Sequence, residues 1–342
     1  MARLNWVGLV VAALLACLLV PEQRAFADGK RHKLRIATVA PDGTSWANTF
    51  HKFAAELDKE TGGDVELKFY FGGIAGTEDE VFKLLQAGKL DGAISGGPIC
   101  RKVAPSMRVL DVVGLFQKQD EANYVVNELR PALDREAHDA GYALLATGSL
   151  GPIIMFSREP ITSMAELQKA KLWSWDLQEV FLKEAAELKI PTLGMSLTDA
   201  AKAFDAKRTD GYLTTPVAAL AFQWYVGTKY ITDLRTGYLM GCFVMRETAI
   251  DALRADHQAS LRKGAAKTGV KIDVDSRRTD EKLLGGTYEK LGVKFVPVSK
   301  KFRAEFFEAS RLARQRLGEA LVPRALLDKV TQLLADYRAE HD

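Results

Sequence analysis

The sequence predicts an α/β protein of two lobes, each a mainly parallel sheet with flanking helices, with a ligand cleft between the lobes and a helical C-terminal part. Three observations carry this. A β-α-β-α-β pattern of apolar runs and helical stripes spans residues 33–95, and a second of the same layout spans 171–214. The chain has 342 residues, near the upper limit for a single hydrophobic core. Beyond residue 246 the patterns are mostly helical. The expected division is a leader at 1–27 and a first lobe at 28–150, completed by part of the C-terminal region. A second lobe at 151–245 and a helical region at 246–342 that packs on and links the lobes follow.

The elements follow in order. Arg3 and the apolar run Trp6 to Val20, followed by Ala25-Phe26-Ala27, read as a signal peptide cleaved after Ala27. A competing reading makes Cys17 a lipidated anchor, but that would leave an apolar mature start at Leu18-Leu19-Val20. Lys33 to Val39 is the first strand and Ala40 to Thr44 a turn. Trp46, Phe50, Phe53 and Leu57 recur at helical spacing until Gly62-Gly63. Val65 to Phe71 is the second strand. Thr77 with Glu80 forms a capping box for the next helix, which ends at Gly88 before a third strand at Leu90 to Ser95. Met107 to Phe116 reads as extended and Asp120 to Ala140 as a helix. Tyr142 to Thr147 and Pro152 to Ser157 read as two strands. Ser163 with Glu166 caps a short helix before the strand Lys171 to Trp175. Asp176 with Glu179 opens the next helix, Pro191 to Gly194 is a short strand, Ser196 with Asp199 starts a helix, and Asp210 to Thr214 closes the unit. Later strands are expected at 230–234, 239–245 and 293–298. Helices are expected at 247–268, 278–291, 300–317 and 323–339.

Composition excludes several classes. Hydrophobic residues at 47% and charged ones at 27% are ordinary for a globular chain. The leader carries Arg3, Arg24 and Glu22, so its removal takes the formal charge from +3 to +2. That is too weak to argue for nucleic acid or an acidic membrane surface. The glycines at 72, 73 and 76 make no dinucleotide fingerprint, and no H-E-x-x-H, C-x-x-C or G-x-S-x-G motif occurs. The five histidines are scattered. No cofactor, metal site or catalytic group is expected. Cys100 and Cys242 remain in the mature chain. Export permits a disulfide, but spacing does not show that they meet, and separate buried thiols are the more ordinary outcome.

Several segments, in order, resemble one family. They are Ala40-Pro41-Asp42-Gly43; Gly73 to Glu80 followed by Leu85-Gln86-Ala87-Gly88-Lys89-Leu90-Asp91; Pro160-Ile161 and Ala165 to Leu172; Ala203 to Gly211; and Thr215-Pro216 with Lys229 to Thr232. Together they are similar to the periplasmic solute-binding proteins of tripartite ATP-independent periplasmic (TRAP) transporters, of the dicarboxylate-binding type. The resemblance implies the two-lobe periplasmic binding protein fold and a periplasmic location. It also implies a small-molecule ligand, closure about a hinge, and delivery to membrane permease subunits, with no enzymatic role.

One departure matters. In that family an arginine on the strand after the "DLkG" helix holds the ligand carboxylate. Here the aligned residue is Trp173. A second arginine falls around Gly151-Pro152 and is also missing. A carboxylate taken out of water needs a forked cationic partner, whereas Trp offers one N–H and an apolar face. The expected cargo is therefore hydrophobic or lacks a carboxylate. The missing arginine also likens the chain to a subgroup that works with a tetratricopeptide-repeat lipoprotein.

Trp173 and Trp175 lie two apart on a strand, so they share a face. They lead the cleft candidates, with Trp46, Phe71, Tyr212, Trp224 and Glu78. For each aromatic the competing reading is packing on its own sheet. For Glu78 it is service to a helix N-terminus. Arg101 and Arg158 are the candidates for a replacement cation. The alternatives to a hydrophobic-cargo importer are a carboxylate binder using a different cation, and an envelope ligand sensor or lipid shuttle uncoupled from import.

Overall fold

The computed structural model of the chain describes residues 31–175 and 179–341. The expected leader and the expected cap at Asp176 lie outside the described residues.

The first run is formed by β1 (His32–Thr38), α1 (Ser45–Glu60), β2 (Val65–Tyr70), α2 (Glu78–Gln86) and β3 (Gly92–Ser95). β1 lies between β2 and β3 and is parallel to both. The helix starts are fixed by side chains. The Thr44 hydroxyl accepts the Ala47 N–H, and Thr77 and Glu80 exchange both capping-box bonds. A short helix α3 (Pro98–Val103) begins just past β3. Residues Pro105–Asp111 form a 3-10 helix where the sequence suggested an extended run. Pro105 presets the first turn, and Met107, Val109 and Leu110 are buried whichever way the backbone runs. The apolar run marked burial, not a strand.

After α4 (Gln119–Asp139), β4 (Tyr142–Ser157) is one strand of 16 residues rather than the two expected. Register shifts at Leu144/Ala146, Ser149/Gly151 and Ile153/Met155 bend it without ending it. The expected boundary at 150/151 falls on this bend. The second run is α5 (Met164–Leu167), β5 (Leu172–Trp175), α6 (Glu179–Glu187), β6 (Thr192–Met195), α7 (Leu197–Asp205) and β7 (Gly211–Thr214). β5 lies between β6 and β7, parallel to both. Helix α8 (Pro216–Ala221) and a 3-10 turn, Trp224–Gly227, lead to β8 (Tyr230–Arg246). This strand of 17 residues joins the two that the sequence suggested there.

The C-terminal part holds α9 (Glu247–Asp251), α10 (Ala255–Lys282), β9 (Lys294–Val296), α11 (Lys300–Leu317) and α12 (Arg324–His341). Helix α10 runs unbroken for 28 residues across the expected gap between Thr268 and Arg278. Gly269 in its middle is a contact, not a break. A Cβ there would lie 2.8 Å from the Ala146 Cβ, so the bare backbone lets α10 sit directly on β4. Among the described residues no helix is long and apolar enough to cross a membrane.

The strand order is β2-β1-β3-β8-β4-β7-β5-β6, with β9 parallel to the start of β8. β3 pairs antiparallel with residues 242–245 of β8. β7 pairs with residues 154–157 of β4, which face the opposite end of β8. The antiparallel β4–β8 pair is thus a spine carrying one parallel half-sheet at each end. About ten residues of strand, ~33 Å at ~3.3 Å each, separate the two attachment points. Cys100 of α3 and Cys242 of β8 form a disulfide with Cα atoms 5.8 Å apart, against the expectation of separate thiols. The β3–β8 register sets Cys242 opposite Ser95, next to the start of α3. Nothing in the spacing of 142 residues reveals that pairing.

Candidate functional site

The carboxyl ends of β1 and β3 in one half and of β5 and β7 in the other line a cavity over the bent spine. Ligands on parallel sheets bind past such ends. One wall is built from the ends of β1 and β3, Thr38 to Ala40 and Ile94 to Gly96, with Trp46 and Phe50 of α1. The other is built from Trp173 and Trp175 of β5, Thr214 of β7, Phe222 and Trp224. The spine supplies Ala146 to Gly148, Leu150 and Leu239, and α10 closes the back with Ala265, Thr268, Gly269 and Ile272. The interior is about 120 Å³, near the ~150 Å³ of an apolar protein cavity that accepts benzene.

Among the described residues, none of the side chains lining this cavity is ionisable. Four polar side chains of the wall are committed to protein partners. The Trp46 indole N–H donates to Ser276 Oγ at 3.1 Å, and the Trp173 indole N–H donates to the Met195 carbonyl at 3.1 Å. Ser95 Oγ donates to Glu78 at 2.6 Å and Thr268 Oγ1 to the Gly264 carbonyl at 2.8 Å. Both indoles therefore present carbon to the cavity and keep no donor for a ligand.

Four of the residues singled out in the sequence meet here: Trp46, Trp173, Trp175 and Trp224. Trp173 is buried and Trp175 half-buried, on the shared face that their spacing implied. Trp224 meets the Trp173 ring edge-to-face at 4.9 Å and stacks on Phe222 at 4.9 Å. The other three lie elsewhere. Tyr212 sits behind the wall, its ring 6.5 Å from that of Trp173, its hydroxyl 2.8 Å from Thr228 Oγ1 and its phenol pushed up by burial. Phe71 packs against Phe69 and the His51 ring. Glu78 is buried behind the β3 end, where it accepts from Ser95 Oγ and from the Ile99 N–H. Burial holds its carboxyl above the usual range. The wall residues of α10 escaped the sequence reading because the helix was divided at that point. Phe222, two residues from Trp224, was the aromatic most open to discovery.

Neither candidate cation lines the cavity. Arg101 pairs with Asp111 at 2.9 Å. Arg158 donates to the carbonyls of Thr209 and Phe204 and lies 3.8 Å over the Phe204 ring. The place of the second family arginine is closed as well. Gly151 has φ +117°, and a Cβ there would lie 2.0 Å from Asp280 Oδ2. Asp280, on α10, is buried; Oδ1 accepts the Val217 N–H at 2.8 Å, while among the described residues Oδ2 has no partner. Burial pushes this carboxyl up to about 8.

Comparison with known proteins supplies the family. A curated solute-binding protein of Verminephrobacter eiseniae is 25% identical over 237 residues, 66% of this chain and 69% of that one. Among solved structures, the sugar acid binding protein of Advenella mimigardefordensis, in complex with galactonate, has a TM-score of 0.82 at 19% identity, covering 90% of this chain and 99% of that one. A TRAP periplasmic solute-binding protein of Haemophilus influenzae with bound L-gulonate has a TM-score of 0.81 at 19% identity, covering 89% and 99%. These likenesses establish the two-lobe fold. The model of DctP, bacterial extracellular solute-binding protein, family 7, matches residues 36–319. The chain belongs to that family of binding proteins.

Proposed function

We propose that this protein captures a neutral, largely apolar small molecule in the interlobe cavity and delivers it to the permease of a TRAP-type transporter, as an exported periplasmic subunit. The observation that carries the ligand class is the cavity wall, on which no described side chain is charged. Galactonate and gulonate in the solved neighbours are acids. At 19% identity those structures speak for the fold, and their ligands do not transfer. A carboxylate drawn into this cavity without a cation would cost several kcal/mol. The reading with a replacement cation is weakened because Arg101 and Arg158 are engaged elsewhere. A tetratricopeptide-repeat lipoprotein partner rests only on the missing arginine and belongs to the same proposal.

The test is a matched pair of probes, 2-naphthol and 2-naphthoate, titrated by calorimetry at pH 7.5 into the wild type and Trp173→Arg. The wild type should favour the neutral compound by at least tenfold, and Trp173→Arg should weaken it by at least tenfold. Equal or tighter binding of the carboxylate by the wild type would overturn the reading.

A further inference from the structure

We propose that the Trp175 ring is a latch that holds the two halves closed, and that Gly96 is the bare-backbone seat on which it closes. The proposal rests on the reading of the cavity as the ligand cleft and adds how that cleft is kept shut.

Trp175 ends β5 and Gly96 follows β3, on opposite sides of the spine. In a flat sheet the four strand steps between them would span ~19 Å at ~4.8 Å each. A Cβ built on Gly96 lies 3.2 Å from Trp175 Cζ3 and 3.7 Å from Cη2. The contact therefore crosses the cleft and exists only while the halves are folded together. Glycine lets the ring sit this close, because a methyl group at 3.2 Å would push the ring back by a few tenths of an ångström.

The seat is braced by a network of hydrogen bonds. Glu78 Oε2 accepts from Ser95 Oγ at 2.6 Å and from the Ile99 N–H at 3.2 Å, and Oε1 accepts the Gly96 N–H at 3.4 Å. Ser95 Oγ also accepts the Gly97 N–H at 3.0 Å. The Cys100–Cys242 disulfide then ties α3 to the spine. Across the cleft, Trp173 is buried and anchored to Met195, whereas Trp175 is half-buried. The buried carboxylate of Glu78 thus holds in place the backbone that Trp175 meets. A ligand small enough to lie beneath the ring adds to the closed state. One that lifts the ring from Gly96 forfeits the contact, so the latch also sets an upper size limit. Differential stabilisation of the closed form is what any closing ligand must supply.

The test uses full-length mature protein labelled with 5-fluorotryptophan, each resonance assigned by single Trp→Phe variants. Fluorine spectra are recorded in H2O and D2O, with and without 2-naphthol. The latch requires a solvent-shielded Trp175 resonance in at least one wild-type sample, moved to a solvent-like position by Gly96→Val, while the Trp46 resonance stays put. Either Gly96→Val or Trp175→Ala should weaken 2-naphthol at least tenfold, and the double variant should lose no more than Trp175→Ala alone, because the valine then faces empty space. Gly96→Ala serves if Gly96→Val fails to fold. Trp175 exposed in both wild-type samples, or equally shielded with and without a side chain at position 96, overturns the latch. No binding of 2-naphthol by a wild type whose Trp175 is shielded and responds to position 96 counts against the apolar ligand alone and supports the latch.

Discussion

Replacing Asp280 by asparagine should abolish a pH dependence of stability that the wild type carries. The Asp280 carboxyl is 3% exposed, receives one hydrogen bond and is raised from 3.8 to about 8, chiefly by desolvation. Arg235 on β8 opposes the shift, while Glu281 on α10 adds to it; Tyr288 also lies within electrostatic reach. An acid whose folded pKa is raised binds its proton more tightly in the folded state. The contribution of this group is then fullest below about pH 4, falls as pH rises toward 8, and is flat above. Taken whole, the shift amounts to ~6 kcal/mol at ~1.4 kcal/mol per unit. Relaxation and water around the opened carboxylate return part of that, so a span of ~2–4 kcal/mol is expected. In Asp280→Asn, Oδ1 still accepts the Val217 N–H and nothing titrates. Urea unfolding at half-unit steps from pH 4.5 to 9 measures the difference between variant and wild type, in which all other carboxyls cancel. The difference should grow steadily in favour of the variant and level off near pH 8. Parallel curves would mean that Asp280 is hydrated in solution and that the packing around Gly151 is wrong.

Other perturbations follow from the same geometry. Gly151→Ala forces an L side chain to φ +117° and drives its methyl group into Asp280 Oδ2; a loss of at least ~2 kcal/mol is expected in urea unfolding. Asp280→Ala should recover part of it if the clash is the cause. Cys100→Ser with Cys242→Ser opens a link across 142 residues, and ~2–5 kcal/mol of stability should be lost. The wild type should show the same fall in melting temperature under reducing conditions, and the double variant should not respond to reductant. Glu184 is fully buried, with Oε2 accepting the Val113 N–H and its carboxyl raised by burial to about 8. Glu184→Gln should therefore also gain on the wild type between about pH 5 and 8, by ~1–3 kcal/mol in the same assay.

Much of the frame was legible in the residues. Thr77 with Glu80 marked the start of α2 because a capping box is a local exchange of two bonds. The two β-α-β-α-β runs were legible because their periodicity is local too. What misled was local chemistry overruled by distant pairing. Gly148, Gly151 and Pro152 look like breaks, yet β8 runs alongside and carries the ladder through them as one strand. Gly269 looks like a weak point in a helix, yet it is where β4 presses on α10. Trp46, Trp173, Trp175 and Trp224 were found as cavity residues from their places near strand ends and helix starts. Phe71 and Tyr212 have similar places, but their rings turn to Phe69 and Thr228, a choice of rotamer and neighbour that spacing does not encode. The disulfide was hidden for the same reason, since only the β3–β8 register brings its two cysteines together.

The most direct test of the apolar cavity is to ask what the protein carries. Protein expressed with residues 1–27 in place and purified without unfolding would be mildly denatured, and the small molecules it releases identified by mass spectrometry. A neutral aromatic or aliphatic compound, one per chain and absent from Trp173→Arg purified in parallel, is the expected result. A sugar acid or a small dicarboxylate bound in stoichiometric amount would contradict it.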